Sequence, residues 1–107
     1  MSALKGKVAL ITGAGQGVGQ GIALALASEG VDLLLAGRTL DKVEQTARLA
    51  MERGVRAVPV ACNVKDAADL TKAVDTAVRD LGGVDILVNN AQEVPLGLLD
   101  DVSDEAF

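Results

Sequence analysis

The chain has 107 residues, half of them hydrophobic, and a formal net charge of −5. Its length predicts one small domain, and a negative charge without a Lys/Arg cluster argues against a nucleic-acid partner. A single cysteine excludes an intrachain disulfide, and no apolar run is long enough to cross a bilayer. Because the first residues also lack the apolar segment of a signal peptide, the sequence predicts a cytoplasmic protein with no membrane association.

Short apolar runs alternate with helical patterns along the whole chain. Strands are predicted over residues 7–12, 31–36, 56–61 and 84–89, and helices over residues 19–29, 40–53 and 66–81. The strand segments are continuous apolar runs, as in strands that helices cover on both faces. This alternation predicts an α/β fold in which right-handed crossovers wind a parallel sheet.

The helices carry recognisable caps and faces. Thr39 is placed to cap the second helix and Asp66 to start the third, while Gly30 stands where a helix-terminating glycine is expected. The predicted buried face of the second helix holds Leu40, Val43, Ala47, Ala50 and Met51. That of the third holds Leu70, Ala73, Val74, Ala77, Val78 and Leu81.

Pro59 determines the predicted strand order. Proline cannot donate a hydrogen bond to a neighbouring strand, so the third strand should lie at an edge of the sheet. The first two strands are then neighbours, and the fourth lies on the other side of the first. The predicted fold is a Rossmann-like doubly wound parallel sheet, partial, with strand order 3-2-1-4 and a ligand site where the order reverses.

The fourth strand is apolar at Val84, Ile86, Leu87 and Val88, although this order places it at the outer edge. An exposed apolar edge strand promotes aggregation, so we expect a further strand beyond it. The chain is therefore interpreted as a half-domain over residues 1–107, truncated at the start of the helix after the fourth strand, or as one that needs a partner. Residues 92–101 are expected to be irregular, and Ser103 to cap the helix that follows.

Four glycines follow the first strand within seven residues: Gly13, Gly15, Gly17 and Gly19. Such a turn lets backbone N–H groups and the positive end of a helix approach a phosphate closely. The alternative is a turn whose glycines serve only close helix–sheet packing. A P-loop is excluded because no lysine lies near Gly17 or Gly19. The Gly-x-Gly-x-x-Gly pattern fails as well, because Val18 or Gln20 occupies its last position.

Three motifs together resemble the short-chain dehydrogenase/reductase family. They are Thr12-Gly13-x-x-x-Gly17-x-Gly19, Asn89-Asn90-Ala91 after the fourth strand, and Asn63-Val64 after the third. The resemblance spans essentially the whole chain but corresponds to the N-terminal, cofactor-binding half of a family member. Gln92 departs from the pattern, because the family usually has glycine at that position.

The resemblance implies a role for each matching residue. The pyrophosphate would be surrounded by Gly13, Gln16, Gly17, Val18 and Gly19. Asn63 and Val64 would border the adenine, Asn90 and Ala91 would contact the ribose side, and Asn89 would tie the fourth strand to its neighbours. The alternative for the asparagine pair is simple capping of the strand end.

The residue after the second strand favours NADP(H) over NAD(H). A fold that prefers NAD places a carboxylate there, whereas Gly37 and Arg38 occupy the position and the first acid is Asp41. The planar guanidinium of Arg38 is suited to bind a 2′-phosphate, although it is also explained by a solvated residue at a helix start. Relatives often carry a second basic residue where Gln16 stands.

Two further features have a structural and a functional interpretation. Cys62 is either a reactive thiol or a small packing residue, and packing is favoured because no basic cluster is near it in sequence. Asp100, Asp101, Asp104 and Glu105 form either a metal site or a solvated loop at a helix start, and the solvated loop is favoured. We therefore expect no metal site and no catalytic cysteine.

The family uses a tyrosine as general acid/base, helped by a lysine, a serine and an asparagine, and this chain has no tyrosine at all. The sequence thus predicts the cofactor-binding portion of an NADP(H)-dependent oxidoreductase that acts on a small hydroxyl/carbonyl substrate. No catalytic residue is assigned to the chain itself, and the parent enzyme is expected to be a homo-oligomer. The alternative is a non-catalytic, truncated Rossmann module that serves nucleotide binding or protein association.

Overall fold

The computed structural model describes residues 3–90 of the chain. Four strands and three helices alternate there: β1 (Val8–Thr12), α1 (Gly17–Ser28), β2 (Asp32–Gly37), α2 (Leu40–Met51), β3 (Ala57–Ala61), α3 (Ala67–Leu81) and β4 (Ile86–Asn89). The sequence-based interpretations of Ala91, Gln92, the tail and Ser103 lie outside the described residues. Among the helices of residues 3–90, none combines the length and apolar character needed to span a membrane.

The four strands form one parallel sheet in the order β3-β2-β1-β4, which confirms the predicted topology. Leu10 in β1 stands between Leu34 of β2 and Leu87 of β4. Pro59 lies in β3 at the edge of the sheet, opposite Leu35. Because the order reverses between β1 and β4, the carboxyl ends of these two strands flank the point where open α/β sheets bind ligands.

Helices cover both faces of the sheet, and alternate residues of each central strand point to opposite layers. On one face α3 contributes Leu70, Ala73 and Ala77 to a core cluster whose sheet residues include Val8, Leu10 and Leu34. On the other face α1 contributes Ala23 and α2 contributes Val43 to a cluster whose sheet residues include Ala9, Ile11, Leu33 and Leu35. Every residue of β1 is buried, which explains its continuous apolar run without alternation.

Helix α1 begins at Gly17, two residues before the predicted start at Gly19. The N–H of Gln20 donates to the carbonyl of Gln16 at 3.4 Å, so the first helical turn already closes at Gln16. Gln16 itself is extended, with φ −164°, and its side chain makes no capping hydrogen bond. The start of α1 is therefore formed by backbone alone.

Several details of α2 and α3 differ from expectation. Thr39 precedes α2, but its side chain makes no capping hydrogen bond, and only its carbonyl accepts from Lys42 and Val43. Leu40 and Met51, predicted on the buried face, are 42% and 49% exposed because they are the terminal residues of the helix. In α3 the buried residues are Leu70, Ala73, Ala77 and Leu81; Val78 lies off that line and is exposed.

Other local predictions are confirmed. Asp66 caps α3, accepting hydrogen bonds from the N–H groups of Ala68 and Asp69. Gly30 follows α1 with φ +84°, a conformation that favours glycine. Strand β4 begins at Ile86, two residues after the predicted start at residue 84. Asp85, just before it, accepts a 2.9 Å hydrogen bond from the Val8 N–H with its side-chain carboxylate. Within residues 3–90, β4 pairs with β1 alone and its apolar side chains are half-buried.

Candidate functional site: a cavity at the carboxyl ends of the strands

A cavity of about 560 Å³ opens where the carboxyl ends of all four strands meet. Its volume lies within the range of roughly 300–1,000 Å³ that is typical of small-molecule sites. The segments that follow the four strands all contribute to its wall. The lining residues are Gly13, Gly15, Gln16, Gly17, Val18, Gly37, Arg38, Thr39, Lys42, Cys62, Val64 and Asn90.

The loop from Gly13 to Gly17 depends on glycine for its backbone conformation. Gly13 has φ +64° and Gly17 has φ +58°, both in the left-handed region. A Cβ at Gly17 would have no neighbour within 4 Å, so at this point the bare backbone faces open space. Gly17 is also the first residue of α1, and the first N–H groups of a helix lack partners within it and attract anions. The loop therefore has the form of a phosphate cradle.

Gly19 has a different role, because it does not line the cavity. A Cβ at Gly19 would collide with the Gly13 carbonyl oxygen and would lie 2.7 Å from the Asn90 side-chain nitrogen. At Gly19, α1 therefore passes within van der Waals contact of the segment that follows β1. Any side chain there would push the helix away from the loop.

The ends of β1 and β4 are joined by hydrogen bonds from three side chains. The Thr12 hydroxyl donates to Asn89 Oδ1 at 3.3 Å and accepts from the Asn90 N–H at 3.1 Å. The Asn90 side chain donates to the Gly13 carbonyl at 3.2 Å. Asn89 therefore ties β4 to β1, as expected, and Asn90 holds the first residue of the glycine loop while also lining the cavity.

Helix α2 lies directly against the glycine loop, a contact that the sequence analysis missed. The buried Thr46 hydroxyl donates to the Ala14 carbonyl at 3.0 Å and accepts from the Gln20 side chain at 3.2 Å. Two glycines make the close approach possible. A Cβ at Gly15 would lie 2.9 Å from Lys42 Cβ, and one at Gly37 would lie 2.6 Å from Val43 Cγ1.

Two cations line the cavity on the side of β2 and α2. Arg38 follows β2 directly, and Lys42 lies in the first turn of α2, with its Nζ 2.7 Å from the Gln16 Oε1. Among the described lining residues there is no carboxylate. Sequence reasoning singled out Arg38 and Gln16 but not Lys42. Only the packing of α2 against the loop brings Lys42 to the site.

Asn63 and Val64 follow β3, and the structure separates their positions. Val64 is buried and lines the cavity, whereas Asn63 is exposed and does not. Asn63 Oδ1 accepts a 3.0 Å hydrogen bond from the Lys65 N–H, and its own N–H donates to Asp69. In this structure the Asn63 side chain therefore stabilises the turn that leads into α3.

Cys62 is a packing residue, as the sequence analysis favoured. Its side chain is 2% exposed and belongs to the apolar cluster under α3. Burial, followed by the charges of Asp69 and Asp66, raises the pKa of the thiol to about 11. A neutral thiol is a poor nucleophile at physiological pH.

No group of three or more His, Cys, Asp or Glu side chains within residues 3–90 is arranged to hold a metal ion. The acidic residues from Asp100 onward, for which a metal site was the less favoured interpretation, lie outside this part of the chain.

These features define a nucleotide-binding α/β fold of the Rossmann type. A glycine loop joins a central parallel strand to a helix N-terminus, and a cavity spans the point where the strand order reverses. The residues present fit a dinucleotide, since a glycine loop with a helix N-terminus and two cations, Arg38 and Lys42, line the same cavity. The family model for short chain dehydrogenase matches residues 7–107, and the chain belongs to this family.

Curated relatives agree with this membership. The oxidoreductase UcpA of Salmonella typhimurium is 44% identical over 105 residues, which cover 98% of this chain and 40% of UcpA. General stress protein 39 of Bacillus subtilis is 38% identical over 104 residues, 95% of this chain and 36% of that protein. The chain thus spans about 40% or less of the length of these two relatives.

Solved structures share the fold. An NAD+-bound xylitol dehydrogenase superposes with a TM-score of 0.81 at 34% identity, covering 94% of this chain and 42% of that one. The L-sorbose reductase of Gluconobacter frateurii, complexed with NADPH and L-sorbose, gives a TM-score of 0.78 at 40% identity, covering 82% of this chain and 34% of that one. The family binds nicotinamide cofactors and acts on small molecules, and these two neighbours bind different forms of the cofactor.

Proposed function

We propose that this chain is the cofactor-binding part of an NADP(H)-dependent short-chain oxidoreductase that interconverts a hydroxyl and a carbonyl group. One observation carries the proposal: the glycine loop and Arg38 line the same cavity. A phosphate cradle and a guanidinium in one cavity suit a dinucleotide whose adenosine ribose carries both a 5′-pyrophosphate and a 2′-phosphate.

The proposal assigns a place to each candidate residue. The pyrophosphate lies against the backbone of Gly13, Gln16, Gly17 and Val18, and Gly19 keeps α1 close behind them. Arg38 binds the 2′-phosphate. Val64 borders the adenine from inside the cavity, and Asn63 borders it from the adjoining turn. Asn90 and Ala91 contact the ribose beside the nicotinamide.

The choice of NADP(H) rests on this chain's own residues. Similar proteins do not determine it, because the xylitol dehydrogenase was solved with NAD+ and the L-sorbose reductase with NADPH. A 2′-phosphate brings a dianion into the cavity, where Arg38 and Lys42 are the charged lining residues among those described. An NAD-specific site would instead require a carboxylate for the ribose 2′-hydroxyl.

The bound cofactor supplies the hydride acceptor or donor of the reaction. The described residues bind the phosphates and orient the dinucleotide across the carboxyl ends of the strands. The chain contains no tyrosine to act as the general acid/base. We therefore assign proton transfer, and recognition of the small hydroxyl/carbonyl substrate, to residues outside this sequence.

The surroundings of the enzyme are part of the same proposal. Cys62 is a free thiol, which fits a reducing cytoplasm. The half-buried apolar side chains of β4 at the edge of the described sheet fit a larger, homo-oligomeric assembly in which that edge is covered.

The test is a pair of binding titrations with the natural full-length protein. NADPH and NADH are each titrated against wild type, Arg38→Ala and the control Arg48→Ala, which alters an exposed arginine of α2 outside the cavity. A charge-assisted hydrogen bond predicts that Arg38→Ala weakens NADPH binding about tenfold to a hundredfold.

NADH affinity should stay within about twofold in Arg38→Ala, because the lost guanidinium has no phosphate to bind there. The control variant should bind both dinucleotides as wild type does. Equal affinity of wild type for NADPH and NADH, or an equal loss for both in Arg38→Ala, contradicts the proposal.

A further inference from the structure

Lys42 is a second cation beside Arg38, and its position does not follow from any motif. The Lys42 Nζ lies 2.7 Å from Gln16 Oε1, and both residues line the cavity together with Arg38. Gln16 comes from the glycine loop and Lys42 from α2. A lysine held by a loop partner therefore lines the same cavity as Arg38.

The stem of Lys42 is fixed by the packing of α2 on the loop. Gly15 lacks the side chain that would displace it, since a Cβ there would lie 2.9 Å from Lys42 Cβ. One turn further along α2, Thr46 hydrogen-bonds the Ala14 carbonyl at 3.0 Å. The helix that carries Lys42 is therefore held in register with the glycine loop before any ligand binds.

The partner of Lys42 leaves the ammonium charge available. Gln16 Oε1 is a neutral acceptor, so it orients the ammonium without cancelling its charge. An ammonium has three donors, and two remain for an anion after one goes to Gln16. Part of the side-chain entropy that a lysine loses on binding is already lost in this arrangement.

We infer that Lys42, positioned by Gln16, is the second cation of a 2′-phosphate clamp and donates to that phosphate together with Arg38. The inference deepens the proposed function and rests on it. Arg38 offers a planar fork to two phosphate oxygens, and Lys42 offers a point charge from the first turn of α2. Selectivity for NADP(H) over NAD(H) is then shared between two residues.

The test compares Lys42→Met with Lys72→Met in the natural full-length protein, using NADPH and NADH titrations. Lys72 is an exposed lysine of α3 outside the cavity, so its variant removes the same charge elsewhere. Because the lost hydrogen bond is charge-assisted but comes from an exposed side chain, Lys42→Met should weaken NADPH binding about fivefold to tenfold. Its NADH affinity should change by less than about twofold, and Lys72→Met should bind both as wild type does.

A charge relocation tests the geometry separately. Gln16→Lys combined with Lys42→Met returns a positive charge to the same wall from the loop side. This double variant should recover most of the NADPH affinity that Lys42→Met loses. Lys42→Arg, which keeps the charge, should retain the preference for NADPH.

The outcomes separate this inference from the proposed function. If Arg38→Ala weakens NADPH binding and Lys42→Met does not, the proposed function stands and the role of Lys42 is refuted. An equal loss of NADPH and NADH in Lys42→Met also refutes it, because Lys42 then acts on a part that both dinucleotides share. If wild type does not prefer NADPH, the proposed cofactor preference fails and the inference fails with it.

Discussion

The Thr46 hydroxyl donates a 3.0 Å hydrogen bond to the Ala14 carbonyl, and through it the middle of α2 holds the glycine loop. Thr46 is fully buried, and the Gln20 side chain donates to the same hydroxyl from α1. One side chain therefore joins the loop and both helices that cover this face of the sheet. The glycine loop is thus held by a residue that does not itself line the cavity.

The first prediction concerns this hydrogen bond. Thr46→Val keeps the shape of the side chain but removes the donor to a buried carbonyl, so the free energy of unfolding should fall by about 1–3 kcal/mol. Thr76→Val is the matched control, because the Thr76 hydroxyl bonds the Lys72 carbonyl at the exposed surface of α3. We expect the control to stay within about 0.5 kcal/mol of wild type in denaturant unfolding. Equal effects of the two variants would contradict the assigned role.

The second prediction uses two glycines of α1. Gly19→Ala places a methyl group against the Gly13 carbonyl and the Asn90 side chain, so it should destabilise the protein by about 1–3 kcal/mol and weaken binding of both dinucleotides. Gly21→Ala meets nothing within 4 Å and should stabilise the helix by about 0.5–1 kcal/mol. Thermal unfolding and NADPH titration of both variants provide the measurement. Tight NADPH binding by Gly19→Ala would show that the close approach at Gly19 is not required.

The third prediction follows from the buried Cys62 thiol. Its pKa is raised from 9.0 to about 11, so between these values the unfolded chain binds fewer protons at this site than the folded one. The contribution of the thiol to stability is therefore complete below pH 9 and is lost as the pH rises toward 11. The stability difference between wild type and Cys62→Ala should accordingly shrink from pH 8 to pH 10.5.

A labelling experiment checks the same state of Cys62 directly. At pH 8 a thiol reagent should modify the folded protein far more slowly than the urea-unfolded chain, because the folded thiol is neutral and buried. Modification at the same rate in both forms would show that Cys62 is an accessible, reactive thiol.

Much of the fold could be predicted because local signals and topology agreed. The alternation of apolar runs with helical patterns predicted a parallel sheet, and Pro59 placed β3 at the edge where the structure has it. The glycine loop could be recognised because its spacing satisfies a backbone requirement at Gly13 and Gly17. The alternation and the glycine loop depend on residues that are neighbours in sequence. The edge position of β3 depends on the hydrogen bond that a proline cannot donate.

The remaining features depend on contacts between distant segments. Lys42 and Thr46 look like ordinary helix residues, and their roles arise because Gly15 lets α2 approach the loop and Gly37 lets it approach the end of β2. Met51 continues the apolar pattern of α2, but it is the last residue of the helix and is exposed. Helical periodicity predicts which direction a side chain points, but not which segment lies there.

The most direct test of the account is hydrogen–deuterium exchange of the natural full-length protein with NADPH and with NADH. Both dinucleotides should protect the backbone amides of residues 12–20, and NADPH should protect residues 37–43 more strongly than NADH. A second cavity lies at the amino ends of β2 and β3, beside Lys5 and Arg53. The backbone amides that line it should exchange at the same rate with and without either dinucleotide. Protection of the amides around the second cavity instead, or no protection of the amides of residues 12–20, would contradict the assignment of the dinucleotide to the glycine loop.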